Sequence, residues 1–417
     1  MYNLAIGLYA LIVRLVSPFH RKARLMLKGH KEVYSKLKKE IDPGKKYIWI
    51  HAASLGEFEQ GRPMIEYIRT HYPEFKILLT FFSPSGYEVR KNYELADVIC
   101  YLPFDIKKNV RRFIKLANPD LAIFIKYEFW YNYIHALYKN NIPVYMVSAI
   151  FRPDQLFFRW YGRSSQTMLK FYKHICVQDE NSKQLMANIG VTNVTVCGDT
   201  RFDRVIEIRN RAKDLPLADA FTRDASGEKI DTLVAGSSWP KDEDIFVSYF
   251  NMNKDIKLII APHEIHESHL QYIEDLSKRP VIRYSQATPD DIKNYDCLII
   301  DSFGLLSSIY RYGEVAYVGG GFGVGIHNVL EAAVYGMPVI FGPNFRKFRE
   351  ANQLIESGGG YSIQDAGAFN GLVEEFVQYP EMLASAGKHA GEYVQSNAGV
   401  VDRVMKIIAP EIEKIHK

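Results

Sequence analysis

Two series of short apolar runs alternate with helical patterns along the chain. The first falls at 47–51, 75–82, 98–102, 121–127, 144–150, 174–178 and 194–197, each rich in β-branched or aromatic residues. The second falls at 232–236, 256–261, 281–284, 297–301, 315–318 and 338–341. Strands apolar on both faces, with helices between them, predict parallel sheets covered on both sides. Between the series, residues 207–230 turn polar and lose their periodicity, which predicts a linker. From about 366 to the end the pattern is helical in three stretches. The expected fold class is α/β, with two Rossmann-like domains at 21–206 and 231–395 facing across a cleft, and a terminal helix at 396–417. Open α/β sheets bind ligands beyond the carboxyl ends of their strands, so the loops after strands are where chemistry is expected.

The first nineteen residues, MYNLAIGLYALIVRLVSPF, are apolar apart from Arg14 and a few polar positions. A basic stretch follows, with Arg21, Lys22, Arg24, Lys28, Lys31, Lys36, Lys38 and Lys39 and few acids. As a helix the apolar segment reaches roughly 25 Å, against a bilayer core of about 30 Å. It lacks a small-residue cleavage site, which argues against a removable signal peptide. Residues 1–20 are expected to anchor the chain to a membrane with the basic flank on the cytoplasmic side. The competing reading is a core helix of the first domain.

Composition narrows the class. The 417 residues suit two domains. With 47% hydrophobic and 24% charged residues, the chain is globular. A net charge of +4 is too small to suggest a nucleic-acid partner. Cys100, Cys176, Cys197 and Cys297 form no C-x-x-C pair and lie in or beside apolar runs, as expected of buried thiols in a reducing compartment.

Six post-strand loops carry the candidate chemistry. His51-Ala52-Ala53-Ser54-Leu55-Gly56-Glu57 places a carboxylate at a helix start; Ser54-x-x-Glu57 also fits a capping box. Lys126–Asn132 holds Glu128, a site carboxylate or a first-turn acid. Gly198–Asp203 holds Arg201, facing an anion or simply solvated. Gly236–Glu243 resembles an anion-tolerant turn. In 261–269, His263, His266 and His269 lack the H-E-x-x-H spacing of a zinc site. The richest loop, 319–331, places five glycines in seven residues. Such glycines imply close backbone contact with something, and a phosphate suits them, while the missing G-x-G-x-x-G spacing argues against a dinucleotide. Asn328 and Glu331 also fit a helix cap with its partner.

These loops together resemble the Kdo transferases, GT-B glycosyltransferases acting on 3-deoxy-D-manno-octulosonic acid. The resemblance runs through most of the chain and is carried by HAASLGE at 51–57, GDTRFDRV at 198–205, and the stretch from VAYVGGG to EAAVYGMPVIFGP at 315–343. It implies inverting, metal-independent transfer of Kdo from CMP-Kdo to a lipid A precursor such as lipid IVA, without a cofactor, at the cytoplasmic face of a bacterial inner membrane. Glu57 would be the general base, with Glu128 and Arg201 stabilising the transition state. CMP would be held by Pro262 and His263, by Gly304, Leu305 and Leu306, and by Asn328, Val329, Leu330 and Glu331. Lys126, Tyr131 and Arg201 depart from the family pattern, which has an acid, a proline and a lysine there. The alternatives are another GT-B sugar-nucleotide enzyme, an epimerase or a transferase, and a membrane-attached sugar-nucleotide-binding protein without turnover.

Overall fold

The computed structural model describes residues 2–417, apart from the side chains of Arg163 and Ser164. Met1, the first residue of the expected anchor, lies outside them. The chain divides into two compact units. One runs up to Arg204 and includes Gly399–Lys417; the other is Val205–Ala398.

Each unit is built on a parallel sheet. The first contains β1 (Tyr47–His51), β2 (Lys76–Phe81), β3 (Val98–Tyr101), β4 (Leu121–Ile125), β5 (Val144–Ala149), β6 (His174–Val177) and β7 (Val194–Val196), in the order β3-β2-β1-β4-β5-β6-β7. The second contains β8 (Thr232–Ser238), β9 (Lys257–Pro262), β10 (Val281–Arg283), β11 (Cys297–Ile299), β12 (Val315–Val318), β13 (Val339–Phe341) and β14 (Gly360–Ser362), in the order β10-β11-β9-β8-β12-β13-β14. Every residue of β1, β4 and β5 is buried, as continuous apolar runs require when helices cover both faces. The apolar pattern does not announce β14, a three-residue edge strand in the glycine-rich stretch 358–362.

Strand order reverses between β1 and β4 in the first sheet and between β8 and β12 in the second. Those are the topological switch points at which open sheets take ligands. The loops after β1, β4, β8 and β12 therefore stand where the architecture directs chemistry.

Residues 207–230 are not an irregular linker. They contain the end of the helix Arg201–Asn210, the helix Pro216–Phe221 and a bridge between Arg223 and Lys229. Ala218 and Phe221 are fully buried, and the Leu215 amide donates to the Tyr312 hydroxyl at 2.7 Å. The segment reads as aperiodic because its elements are short and bury only two or three side chains each. The C-terminal helix Val400–His416 packs on the first unit. Val400, Val404, Ile408 and Ile412 recur every four residues and join a core with Ile50, Ile65, Ile68 and Ile123. Asp203 fixes its start, accepting from the Gly399 and Val401 amides at 2.6 and 2.7 Å.

At the N-terminus, α1 (Tyr2–Val16) and α2 (Arg21–Glu40) meet at a sharp corner. Among the described residues no single helix is long and apolar enough to cross a membrane. One face of α1 docks: Ala10 and Val13 are buried with Met26 and Phe104, and the Tyr2 hydroxyl donates to Asp105 at 2.5 Å. The other face is bare, with Leu4, Leu8, Leu11, Ile12 and Leu15 exposed, and Phe19 beyond the helix is exposed as well. The helix is thus neither a core helix nor a free span.

Candidate active site

In the first unit the switch point is closed by a hydrogen-bonded cluster. β1 delivers His51, fully buried, and the β4 loop delivers Glu128, 7% exposed. His51 Nε2 lies 3.1 Å from Glu128 Oε2, and its Nδ1 lies 2.8 Å from Thr80 Oγ1. The indole N–H of Trp130 donates to Glu128, and its nitrogen lies 3.1 Å from His51 Nε2. Glu128 precedes the helix Tyr131–Lys139, whose N-cap is Trp130, so it is not a first-turn acid. Lys126 holds a left-handed φ of 69° at the strand end, and its ammonium sits 5.2 Å from the Tyr127 ring.

Glu57 stands in the first turn of α3 (Leu55–His71), half-buried. The capping box that its spacing allows is not formed. Ser54 occupies the N-cap position, yet its side chain makes no cap bond; its hydroxyl donates to the Glu57 carboxylate instead. That carboxylate is held in place by a hydroxyl and not spent on the helix end.

Arg201 is engaged with Asp199. Its Nε and Nη2 lie 2.9 and 2.7 Å from Asp199 Oδ2, and its amide donates to Oδ1 at 3.0 Å. Gln60 Nε2 also donates to Oδ1 at 3.0 Å. Burial pushes the Asp199 carboxyl up, but the Arg201 charge and these hydrogen bonds outweigh it and hold the acid below its ordinary range. Thr200 bonds the Gln60 carbonyl at 2.6 Å and Ser148 at 3.0 Å; Ser148 sits at a φ of 55° where the β5–β6 register shifts. Much of GDTRFDRV therefore ties α3, β5 and the terminal helix together. Glu57, Glu128 and Arg201 are each held by their own partners around the carboxyl end of one sheet.

In the second unit the switch point is closed by Asp242 and a stack of rings. Asp242 accepts from the Gly320 amide at 2.9 Å and from the Tyr317 hydroxyl at 2.8 Å, joining the β8 and β12 ends. Trp239 lies over His263 with ring centres 4.7 Å apart, and His263 lies over His327 at 4.3 Å. Trp239 Nε1 donates to His327 Nε2 at 3.1 Å. Burial and the neighbouring His263 push His327 down to about 4. The three histidines of 261–269 go separate ways. His263 stacks on Trp239, His266 caps the helix Glu267–Leu276, and His269 pairs with buried Glu243 at 2.9 Å.

Four of the five loop glycines are explained by the chain itself. A Cβ on Gly319 would meet the Ser237 carbonyl at 2.3 Å, one on Gly321 the Gly342 backbone at 2.5 Å, and one on Gly320 the Gly325 carbonyl at 2.5 Å; Gly325 has a φ of 142°. Of the five, only Gly323 would take a Cβ at ordinary contact distance, its nearest neighbour lying at 3.5 Å. The close contact inferred from these glycines is largely with neighbouring backbone. The helix after the loop is also short, Leu330–Ala333, so its dipole is small. Asn328 fulfils the capping reading in part: its Oδ1 accepts from the Leu330 amide at 3.3 Å and its Nδ2 donates to Glu331 at 3.0 Å. Pro262 ends β9 beside His263. Gly304 takes a φ of 84° before Leu305 and the turn Leu306–Ile309. Leu306 and Tyr310 pack so tightly on Gly236 that a Cβ there would lie 2.0 Å from the Tyr310 hydroxyl.

Residues 24–204 match the family model described as 3-deoxy-D-manno-octulosonic-acid transferase (kdotransferase). A curated protein of that name from Haemophilus influenzae is 27% identical over 88% of this chain and 87% of its own length. Another, from Aquifex aeolicus, is 26% identical over 76% of this chain and 82% of its own length. The similarity is to the Kdo transferases. Glycosyl transfer is the class of chemistry that these similarities support, and Kdo is the sugar that the matched name carries. Solved structures add the fold. A UDP-GlcNAc 2-epimerase from Neisseria meningitidis superposes with a TM-score of 0.60 at 16% identity, covering 88% of this chain and all of that one. MurG from Acinetobacter baumannii gives 0.56 at 11%, covering 88% and 99%. At those identities the likeness shows a GT-B fold and nothing of substrate.

His51, Trp130, Asp199, Asp242 and His327 escaped the sequence reading as working residues. Their signal was present only as position: His51, Trp130 and Asp242 sit within a few residues of a strand end at a switch point, His327 ends the glycine loop after β12, and Asp199 follows the edge strand β7.

Proposed function

We propose that the chain transfers Kdo from CMP-Kdo to a lipid A precursor, with inversion and without a metal. The observation that carries this is the state of Glu57 in a chain whose relatives bear the transferase name. Of the two carboxylates at the first switch point, Glu128 is buried and bonded to His51 and Trp130, while Glu57 is half-buried and bonded to one hydroxyl. A general base must reach the acceptor hydroxyl and take its proton, which Glu57 is free to do. As the proton leaves, the acceptor oxygen attacks the anomeric carbon and CMP departs from the opposite face. CMP is a monophosphate leaving group, so fixed dipoles and a cation suffice to stabilise it. Arg201 supplies the cation, oriented by Asp199. The exposed ring of His263, in its stack with His327 and Trp239, offers the cytosine a platform, with Pro262, the 304–306 turn and the 328–331 turn around it. Glu128 positions His51 and the β4 loop.

The acceptor is a lipid, and α1 suits that. Its bare apolar face and the basic α2 fit a helix lying in the interface of an anionic membrane, at the cytoplasmic side of the inner membrane. Release of CMP from CMP-Kdo, measured with and without lipid A precursor, tests the proposal. Acceptor-dependent release is expected; its absence with every lipid acceptor overturns the reading.

A further inference from the structure

The corner between α1 and α2 encloses an open pocket of about 770 Å³. Among the described residues its walls carry five cations, Arg14, Arg24, Lys28, Lys31 and Arg112, and no carboxylate. Two of the cations are fixed. Arg24 donates to the Pro18 carbonyl at 2.5 Å, and the Arg112 guanidinium lies 4.0 Å over the Tyr34 ring. Leu27, Pro103 and Phe104 add apolar wall.

Two further polar groups line the same pocket. His30 Nε2 and the Tyr34 hydroxyl are buried atoms without a hydrogen-bond partner. Burial pushes His30 down to about 4, against a weaker opposing effect from its hydrogen bond to the Leu102 backbone. The ring is therefore neutral at pH 7, and its free nitrogen is an acceptor in search of a hydroxyl. A concave site rich in cations and lacking acids calls for an anion, and buried polar atoms call for partners.

The place of the pocket selects the anion. Arg14 and Ser17, on its rim, belong to or adjoin the helix that bares Leu4, Leu8, Leu11 and Leu15. Acyl chains lying along that stripe would set a headgroup phosphate at the level of Arg14. We propose that this pocket holds the headgroup of one anionic phospholipid of the phosphoglycerol type, its phosphate among the five cations and its hydroxyl on His30. The proposal rests on the membrane association inferred above and not on the identity of the transferred sugar.

The test uses the full chain and monomeric dihexanoyl phosphatidylglycerol, with dihexanoyl phosphatidylcholine and inorganic phosphate as comparisons, read by calorimetry. The double variant Lys28→Gln/Lys31→Gln removes two pocket charges. The control Lys38→Gln/Lys39→Gln removes two from the last turn of the same helix. Phosphatidylglycerol should bind, the pocket variant should weaken it by about thirtyfold, and the control by less than about threefold. Equal losses in both variants would mean diffuse attraction and overturn the pocket. Inorganic phosphate binding as tightly as the lipid would make it a free-anion site and also overturn it. Sedimentation with phosphatidylcholine–phosphatidylglycerol vesicles separates the two readings: association with vesicles but no binding of the monomeric lipid sinks the pocket alone, and failure of both sinks the membrane reading as well.

Discussion

Replacing Glu57 by Gln exchanges one carboxylate oxygen for an amide nitrogen and leaves the side chain the same size. The structural cost follows from what Glu57 touches. The Ser54 hydroxyl can donate to the amide carbonyl of the substituted side chain as it does to the carboxylate, so the hydrogen bond survives. The substitution removes one negative charge from the first turn of α3, worth about 0.3–1 kcal/mol at a helix N-terminus. In a unit of this size that corresponds to a fall in Tm of at most about 4 °C. The chemical cost is of another order. An amide cannot take the acceptor's proton, and losing a positioned base lowers turnover by about 10²–10⁴, or about 2.7–5.5 kcal/mol of barrier. Turnover at saturating CMP-Kdo and acceptor, alongside a melting curve, separates the two. Wild-type turnover in a variant that melts normally would refute the base assignment and move it elsewhere around the sheet end. Glu57→Ala decides less, because it also strips Ser54 of its acceptor.

Gly321→Ala should destabilise the second unit by about 1–3 kcal/mol, because its Cβ would press on the immovable Gly342 backbone, whereas Gly323→Ala should leave the melting temperature within a degree or two; CMP calorimetry on the latter variant then tells whether the one open glycine faces the nucleotide. His327 titrates near 6.5 when unfolded and about 4 when folded, so between those values the unfolded state binds the extra proton and stability falls as pH falls. Comparing denaturant midpoints of wild type and His327→Gln at pH 7 and pH 4.5 should show that slope reduced, by on the order of 1 kcal/mol after allowance for solvent at this partly exposed ring; identical slopes would refute it. Leu4→Ser/Leu8→Ser/Leu15→Ser should move the chain from vesicles to the soluble fraction with its fold intact, since each leucine withdraws apolar surface worth about 1–2 kcal/mol from the interface. Deleting the whole segment is the poorer experiment, as it also removes the Tyr2–Asp105 bond and uncovers the docked face.

The two sheets were readable in the sequence because strands such as β1, β4 and β5 are buried on both faces and must be apolar throughout. The glycine-rich edge strand β14 escaped for the converse reason: a strand at the rim of a sheet needs no such run. The site loops were readable as strand-to-helix junctions, and Glu57 and Glu128 could be named there. Sequence spacing could not say which carboxylate is accessible, because that depends on what the third dimension brings beside each: a lone hydroxyl beside Glu57, an imidazole and an indole beside Glu128. It also could not tell a capping box from a side-chain pair, since both need Ser54 and Glu57 three residues apart and differ only in where the hydroxyl points. The glycines of 319–325 misled in an instructive way. Glycine reports that something comes close, and only the tertiary structure shows that at three of five positions the visitor is the chain's own backbone and at a fourth, Gly325, the Phe348 ring. The terminal helix made the same point at larger scale. Its four-residue apolar stripe was plain in the sequence, but that it returns to the first sheet, fastened by Asp203, was decided by a contact spanning almost two hundred residues.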